Sequence, residues 1–518
     1  MNRTQKVSKN VIWGIMSKVI GLGLPFVTRT IMIYTLGMMY VGLGSLFTSI
    51  LQVLSFAELG IGSALVFGMY KPMADNDDEK ICALLNLYRS TYRVIGTIIL
   101  VVGIAMMPFL KYLVAGELPK DINLQILFLI YLVNNLAGYF LYAYKQSLFT
   151  ASQRVDVISK ISMAIQLLLN IIQIVILVTV KNYYAYIIVL PISTVINNIL
   201  VGYFTDKAFP RYKCSGSISE SEKKEITKNV KGLIFQKIGN IILTSADSIV
   251  ISSFLGLKIL GIYNGYFCII SAFFGFLTVI HQAIIPSVGN CAVTDTKEKN
   301  LKNFYEIQFL YLWIVIWVCA CLLVLLQPFI KIWQGQSNIL PNTTVVLLAI
   351  YFFTYKMGDI CWMYREALGL WWEARYIPFI SSVCNLVMNI VLVRIIGLNG
   401  VIISTILSLF TINFPWSSKV IFSNYFKSKN EWFKYILKTL LYFLMMVLVS
   451  STNLMICALV KGENFSQFII KLIICIFAPN IILLLLNIKN KNLRPAVCFV
   501  LGIIPKRFIP KFAKRYIV

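Results

Sequence analysis

Fourteen apolar stretches, each about 20 residues or longer, follow one another along this chain with only short polar breaks between them. A helix of that length crosses a hydrocarbon core of about 30 Å. Only helices and closed barrels satisfy their own backbone hydrogen bonds in such a medium, and a barrel would show alternating segments of about ten residues. The pattern predicts an all-α polytopic membrane protein. Composition agrees: 58% of the residues are apolar and 13% charged, too little polar surface to coat a soluble globule.

The net charge of +26 does not indicate a nucleic-acid partner, because the lysines and arginines fall in alternate loops and not on one soluble face. They are several-fold more frequent in the loops that lie inside if the N-terminus is inside, the positive-inside pattern. Both termini are therefore expected to be cytoplasmic. Arg3, Lys6 and Lys9 resemble a signal n-region, but the next apolar run carries Lys18 and Arg29 and lacks a small-residue cleavage site, so it reads as an uncleaved first helix.

The chain is also duplicated. Lys9-Asn10-Val11 recurs as Lys228-Asn229-Val230, Ile15 and Lys18 as Ile234 and Lys237, and Leu36-Gly37 with Gly42 as Leu255-Gly256 with Gly261, all at an offset of 219. Tyr131, Gly138, Tyr144, Lys145 and Leu148 find counterparts in Tyr351, Gly358, Tyr364, Arg365 and Leu368, and Asn170 in Asn389. Residues 1–205 form the first six-helix lobe, 206–229 a polar cytoplasmic linker, and 230–424 the second lobe. An even helix number makes the two repeats parallel, related by an axis along the membrane normal. Two appended helices (425–488) and a basic amphipathic tail (489–518), suited to an anionic inner leaflet, complete the chain.

Ionisable residues inside membrane helices cost about 2.5–3.5 kcal/mol each on insertion scales, so each needs a partner or a wet cavity. Lys18 and Arg29 share one face of helix 1, three turns apart, and Lys237 repeats Lys18. Snorkelling toward the two interfaces is the alternative account of the pair. Asp247, deep in helix 7, calls for a cation, with Arg29 one candidate, and Glu58 in helix 2 poses the same problem. Each could serve a structural ion pair or coupling to H+ or Na+. Lys356 and Asp359, three residues apart, are placed to neutralise each other.

Other chemistry finds little support. The eleven cysteines, most of them in apolar segments, are scattered without ligand spacing, which argues against a zinc site or a disulfide framework. His281 lacks an acid five residues on, so a membrane acyltransferase signature is absent. The acidic run from Asp75 to Asp78 reads as a solvated loop, and no phosphate loop followed by Lys-Ser or Lys-Thr is present. No catalytic residue, metal or cofactor is called for.

Leu36-Gly37 followed by Val41-Gly42, Ala57-Glu58-Leu59-Gly60, Asp247 before Leu255-Gly256 and Gly261-Ile262-Tyr263, and Gly397 to Gly400 together resemble polysaccharide repeat-unit flippases of the O-antigen and capsule type. Their superfamily also contains multidrug and toxic compound extrusion transporters and lipid II flippases. The resemblance implies two six-helix lobes around a central cavity in a bacterial plasma membrane. It further implies alternating access that carries an undecaprenyl-pyrophosphate-linked oligosaccharide to the outer leaflet, alongside polysaccharide polymerase and glycosyltransferase partners. A pyrophosphate head needs cations, and Lys18, Arg29 and Lys237 are the expected ligands. Glu58, Asp247 and Asp359 are expected to balance charge or couple an ion. A multidrug antiporter is the alternative, although helix 1 holds two bases and no acid. A membrane glycosyltransferase or polymerase is another, although the external breaks, Lys111 to Asp121 and Lys331 to Asn342, are short for such an enzyme.

Overall fold

A computed structural model describes residues 21–495 apart from 22, 59–60, 463 and 494, without the side chains of 56–57, 63, 221, 225–234 and 236. The described residues are helical and connected by short turns, with no strand among them. The order is α1 (23–35), α2 (Met38–Leu54), α3 (Ile61–Asp75), α4 (Asp78–Met106), α5 (Leu124–Phe140), α6 (Gln146–Ala151), α7 (Val155–Thr179), α8 (Tyr183–Ala208) and α9 (Glu220–Leu255). It continues with α10 (Leu257–Thr294), α11 (Lys297–Gln334), α12 (Asn342–Lys356), α13 (Asp359–Ala367), α14 (Ile377–Ile396), α15 (Leu398–Ser408), α16 (Phe414–Asn424), α17 (Lys429–Ala458) and α18 (Phe465–Asn487).

Eleven described helices are long and apolar enough to cross a membrane, twelve when the bent pair α5–α6 counts as one span. The protein is a multi-pass membrane protein. The difference from fourteen lies at the start of the chain. The first predicted span begins outside the described residues, and the second is not one helix: α2 ends in a 3-10 turn, Ser55–Glu58, before α3 begins. Two further boundaries differ from expectation. The acidic loop shrinks to Asn76 and Asp77, because Asp77 accepts from the Lys80 backbone N–H at 3.0 Å and caps α4. The polar segment 206–229 turns helical at Glu220, where the Ser219 hydroxyl accepts from the Glu222 N–H while the Glu222 carboxylate accepts from the Ser219 N–H, a capping box that starts α9. The basic tail lies outside the described residues from 496 onward. The described cysteines are free.

The chain divides into two compact units, one comprising residues up to Asn264 with Pro378–Gly397 and the other Gly265–Ile377 with the residues from Leu398. In the first, α2 packs on α9 and α5 on α8, with α7 against α8. In the second, α11 is the central helix, flanked by α12, α17 and α18. Its burial fits that place, from Phe304 near one end to Ile330 near the other.

The duplication is visible inside the first unit as repeated contacts. Gly37 and Gly256 both end a helix with positive φ, 105° and 88°, a conformation that favours glycine. A Cβ at Gly42 would run into the Leu257 carbonyl oxygen, and one at Gly261 into that of Met38. The two contacts are copies of each other at the 219-residue offset.

Candidate functional site

Thr28 on α1 donates its hydroxyl to Asn170 Oδ1 on α7 at 2.8 Å. At the same offset, Asn389 Nδ2 on α14 donates to Asp247 Oδ1 on α9 at 2.7 Å. The duplication thus preserves a buried helix-to-helix hydrogen bond while replacing a hydroxyl by a carboxylate. Both carboxamides are buried, as Asp247 is, so the second copy places its carboxylate against a buried polar neighbour.

Arg29 follows Thr28 and points elsewhere. Its Nη1 donates to the Asn264 carbonyl at 3.1 Å, and its side chain is half-buried. Among the described residues no ion pair joins Arg29 to Asp247, contrary to the partnership considered from sequence. A guanidinium has five N–H donors, and the recorded bond uses Nη1. Lys237, on α9, is half-buried, and no ion pair to it is found among the described residues. Lys18 lies outside the described residues.

Glu58 occupies the last position of the 3-10 turn that interrupts the second span. Its two carboxylate oxygens accept from separate phenols, Oε1 from Tyr92 at 2.5 Å and Oε2 from Tyr139 at 2.8 Å. Tyr88, one helical turn before Tyr92 on α4, lies 3.1 Å from it, oxygen to oxygen. Hydrogen bonds to an ionised acceptor are about twice as strong as neutral ones, which supports a carboxylate that has no salt bridge among the described residues. Sequence reading singled out the acid and missed the phenols. Tyr88 and Tyr92 at i and i+4 on one face were the available signal.

Asp359 belongs to the second unit and is paired as expected. The Lys356 ammonium lies 2.9 Å from its Oδ2, with both residues buried, and the Tyr311 hydroxyl donates to the same oxygen. Lys356 also sits over the Phe274 ring at 5.0 Å and the Tyr355 ring at 5.3 Å. This cation is neutralised, whereas no ion pair to Arg29 or Lys237 is found among the described residues. His281 is buried, its Nε2 lying 3.2 Å from Glu366 Oε2 and its ring 4.5 Å from that of Trp362.

The fold has relatives of known structure. The lipid II flippase MurJ, in an inward closed conformation, is similar with a TM-score of 0.65 and 16% identity over 92% of this chain and 98% of that one. An inward-facing multidrug resistance MATE family transporter of the MOP superfamily gives 0.62 and 13% over 80% and 96%. In sequence, 168 residues, 32% of this chain, are 23% identical to the "Putative O-antigen export protein" of Yersinia pseudotuberculosis; they span 38% of that relative's length. The family described as polysaccharide biosynthesis protein matches residues 7–292, more than half of the chain, and the chain belongs to that family.

Proposed function

We propose that the protein is a flippase for undecaprenyl-pyrophosphate-linked oligosaccharides, moving them from the inner to the outer leaflet of a bacterial plasma membrane by alternating access. In this reading both termini are cytoplasmic, and residues 1–205 and 230–424 are the two lobes that alternate. The observation that carries it is the unequal treatment of cations. Lys356 is neutralised by Asp359, whereas Arg29 and Lys237 have no acidic partner among the described residues. A cation held in a membrane helix without an acid is stable only if water or an anionic ligand reaches it, and the pyrophosphate of a polyprenyl carrier is such a ligand. Arg29 is the strongest candidate, because its bond to the Asn264 carbonyl orients the guanidinium without cancelling its charge. Lys18 and Lys237 are proposed to complete the set, with Glu58 and Asp247 balancing charge or coupling H+ or Na+. The similarity to a lipid II flippase and membership in a polysaccharide biosynthesis family support a lipid-linked substrate and a transporter, not an enzyme.

The test is translocation of a labelled lipid-linked oligosaccharide in proteoliposomes, comparing the intact protein with Arg29→Ala, Lys237→Ala and Lys18→Ala at matched folding. Loss of translocation in Arg29→Ala is expected. Retention in all three would remove the cationic site, and absence with intact protein would favour the multidrug antiporter.

A further inference from the structure

The two repeats treat one basic residue differently. In the first, Lys145 follows Tyr144, and its ammonium lies 2.6 Å from each oxygen of Asp206. In the second, Arg365 follows Tyr364 in the corresponding place, but the positions matching Asp206 are Tyr425 and Phe426. The second repeat has the base without the acid. Arg365 is buried, at 7% exposure, and its Nε has no hydrogen-bond partner among the described residues, nor does an ion pair to it appear among them.

Its surroundings add a second donor in the same condition. Trp362 lies one turn before Arg365 on α13, the i, i+3 spacing that places side chains side by side, and its indole N–H is also buried without a partner among the described residues. The nearest carboxylate in sequence, Glu366, is engaged by His281 Nε2 at 3.2 Å, and the His281 ring packs against the Trp362 indole. The C-terminal turn of α13 offers a partial negative charge to Arg365, but that effect is small beside the cost of taking a whole charge out of water. Two buried N–H donors, Arg365 Nε and the Trp362 indole, thus lack an acceptor among the described residues.

We propose that Arg365 and Trp362 form a binding site for a phosphate-class anion at the end of α13, distinct from the cations of the first unit. The guanidinium supplies charge and paired N–H donors suited to phosphate geometry, and the indole N–H supplies a directional donor. Glu366, 29% exposed by side chain, borders the site. Its carboxylate lies 3.2 Å from His281 Nε2 and also acts electrostatically on Arg365, so it competes with the anion, the more so when the His281 contact weakens. Lys145, already saturated by Asp206, offers no equivalent site. This assignment does not rest on the flippase reading, and its test does not use translocation.

The test is thermal unfolding of the full chain in detergent with inorganic pyrophosphate, against sodium chloride at matched ionic strength. A parallel arm compares nanodiscs of phosphatidylglycerol with nanodiscs of phosphatidylcholine. Stabilisation of the wild type by pyrophosphate is expected, weakened at least tenfold in apparent affinity by Arg365→Gln and several-fold by Trp362→Phe, and unchanged in Lys145→Gln. If Arg365→Gln does not fold, Arg365→Lys and Trp362→Phe carry the comparison. An Arg365-dependent response to phosphatidylglycerol alone assigns the same site to a lipid headgroup. No response of the wild type to either probe, or an equal response in wild type and both site variants, overturns the proposal.

Discussion

Replacing Lys356 by Met removes the ammonium from a carboxylate that has almost no access to water. Lys356 and Asp359 are 3% and 5% exposed, and the pair is held at 2.9 Å. Breaking a buried pair from one side costs about 3–5 kcal/mol, because the surviving charge is uncompensated. The Tyr311 hydroxyl remains on Asp359, which places Lys356→Met toward the lower end. Asp359→Asn leaves the ammonium over the Phe274 and Tyr355 rings, and contacts of this kind recover about 0.5–2 kcal/mol. Its expected cost is correspondingly smaller. The double variant Lys356→Met/Asp359→Asn removes both charges and, as a buried pair replaced by neutral groups, is expected to lie within about 1 kcal/mol of wild type. Equilibrium unfolding in mixed micelles gives the three differences, and the cycle should show a coupling of at least about 3 kcal/mol. Additive single costs would refute the pairing argument. Translocation by the double variant adds a second reading: retained activity assigns the pair to structure, and a stable but inactive double variant assigns Asp359 to ion coupling.

Further outcomes follow from the packing and the caps. Gly42→Ala and Gly261→Ala each force a methyl group against a backbone carbonyl and should each cost about 1–3 kcal/mol in unfolding measurements, whereas Gly23→Ala, with open space around its Cβ, should cost far less. Tyr92→Phe and Tyr139→Phe each remove a charge-assisted bond to Glu58 and should each lower stability by about 1.5–3 kcal/mol, with Glu58→Leu relieving the effect of a subsequent tyrosine change in a double-mutant cycle. Ser219→Ala removes the hydroxyl that caps α9 and should cost about 0.5–2 kcal/mol, read as faster amide exchange in its first turn. Outside the membrane, the Lys80 ammonium, 2.5 Å away, holds the Glu222 carboxyl below its ordinary range, aided by Ser219. Since the folded value is depressed, the contact is fully present above the unfolded carboxyl pKa and is lost as pH falls through the folded one. Protection factors across residues 209–222, taken relative to the intrinsic exchange rate at each pH, should therefore fall on acidification, and Lys80→Met should reduce that dependence.

What could be read in advance follows from the range of the interactions. Span positions are set by local composition, and most predicted spans lie within a few residues of their helices. The break after α2 was harder to see, because Ala57-Glu58-Leu59-Gly60 reads as close-packing residues in a continuous helix. The carboxylate there is satisfied by phenols from α4 and α5, which no local pattern reveals. The start of α9 was legible in Ser219 and Glu222, but the surrounding charges favoured a linker. The repeat offset indicated that Asn170 and Asn389 occupy equivalent places, and the same offset equates Thr28 with Asp247. The bond of Arg29 to the Asn264 carbonyl was not legible, because a backbone acceptor 235 residues away leaves no mark in local sequence. Lys356 and Asp359 were legible because three residues along a helix is a contact distance in itself.

The reciprocal contacts of Gly42 and Gly261 also bear on how the chain can change. Each glycine lies beneath a carbonyl that belongs to the other copy of the duplicated segment, so neither copy carries a complete contact of its own. An isolated first half would leave Gly42 facing nothing, yet two identical halves could make both contacts between them. The join has the form of a symmetric dimer interface drawn into a single chain. Side-chain growth in either copy opens a gap that the unchanged copy does not fill, which ties the later divergence of one half to that of the other even where their buried charges have already parted.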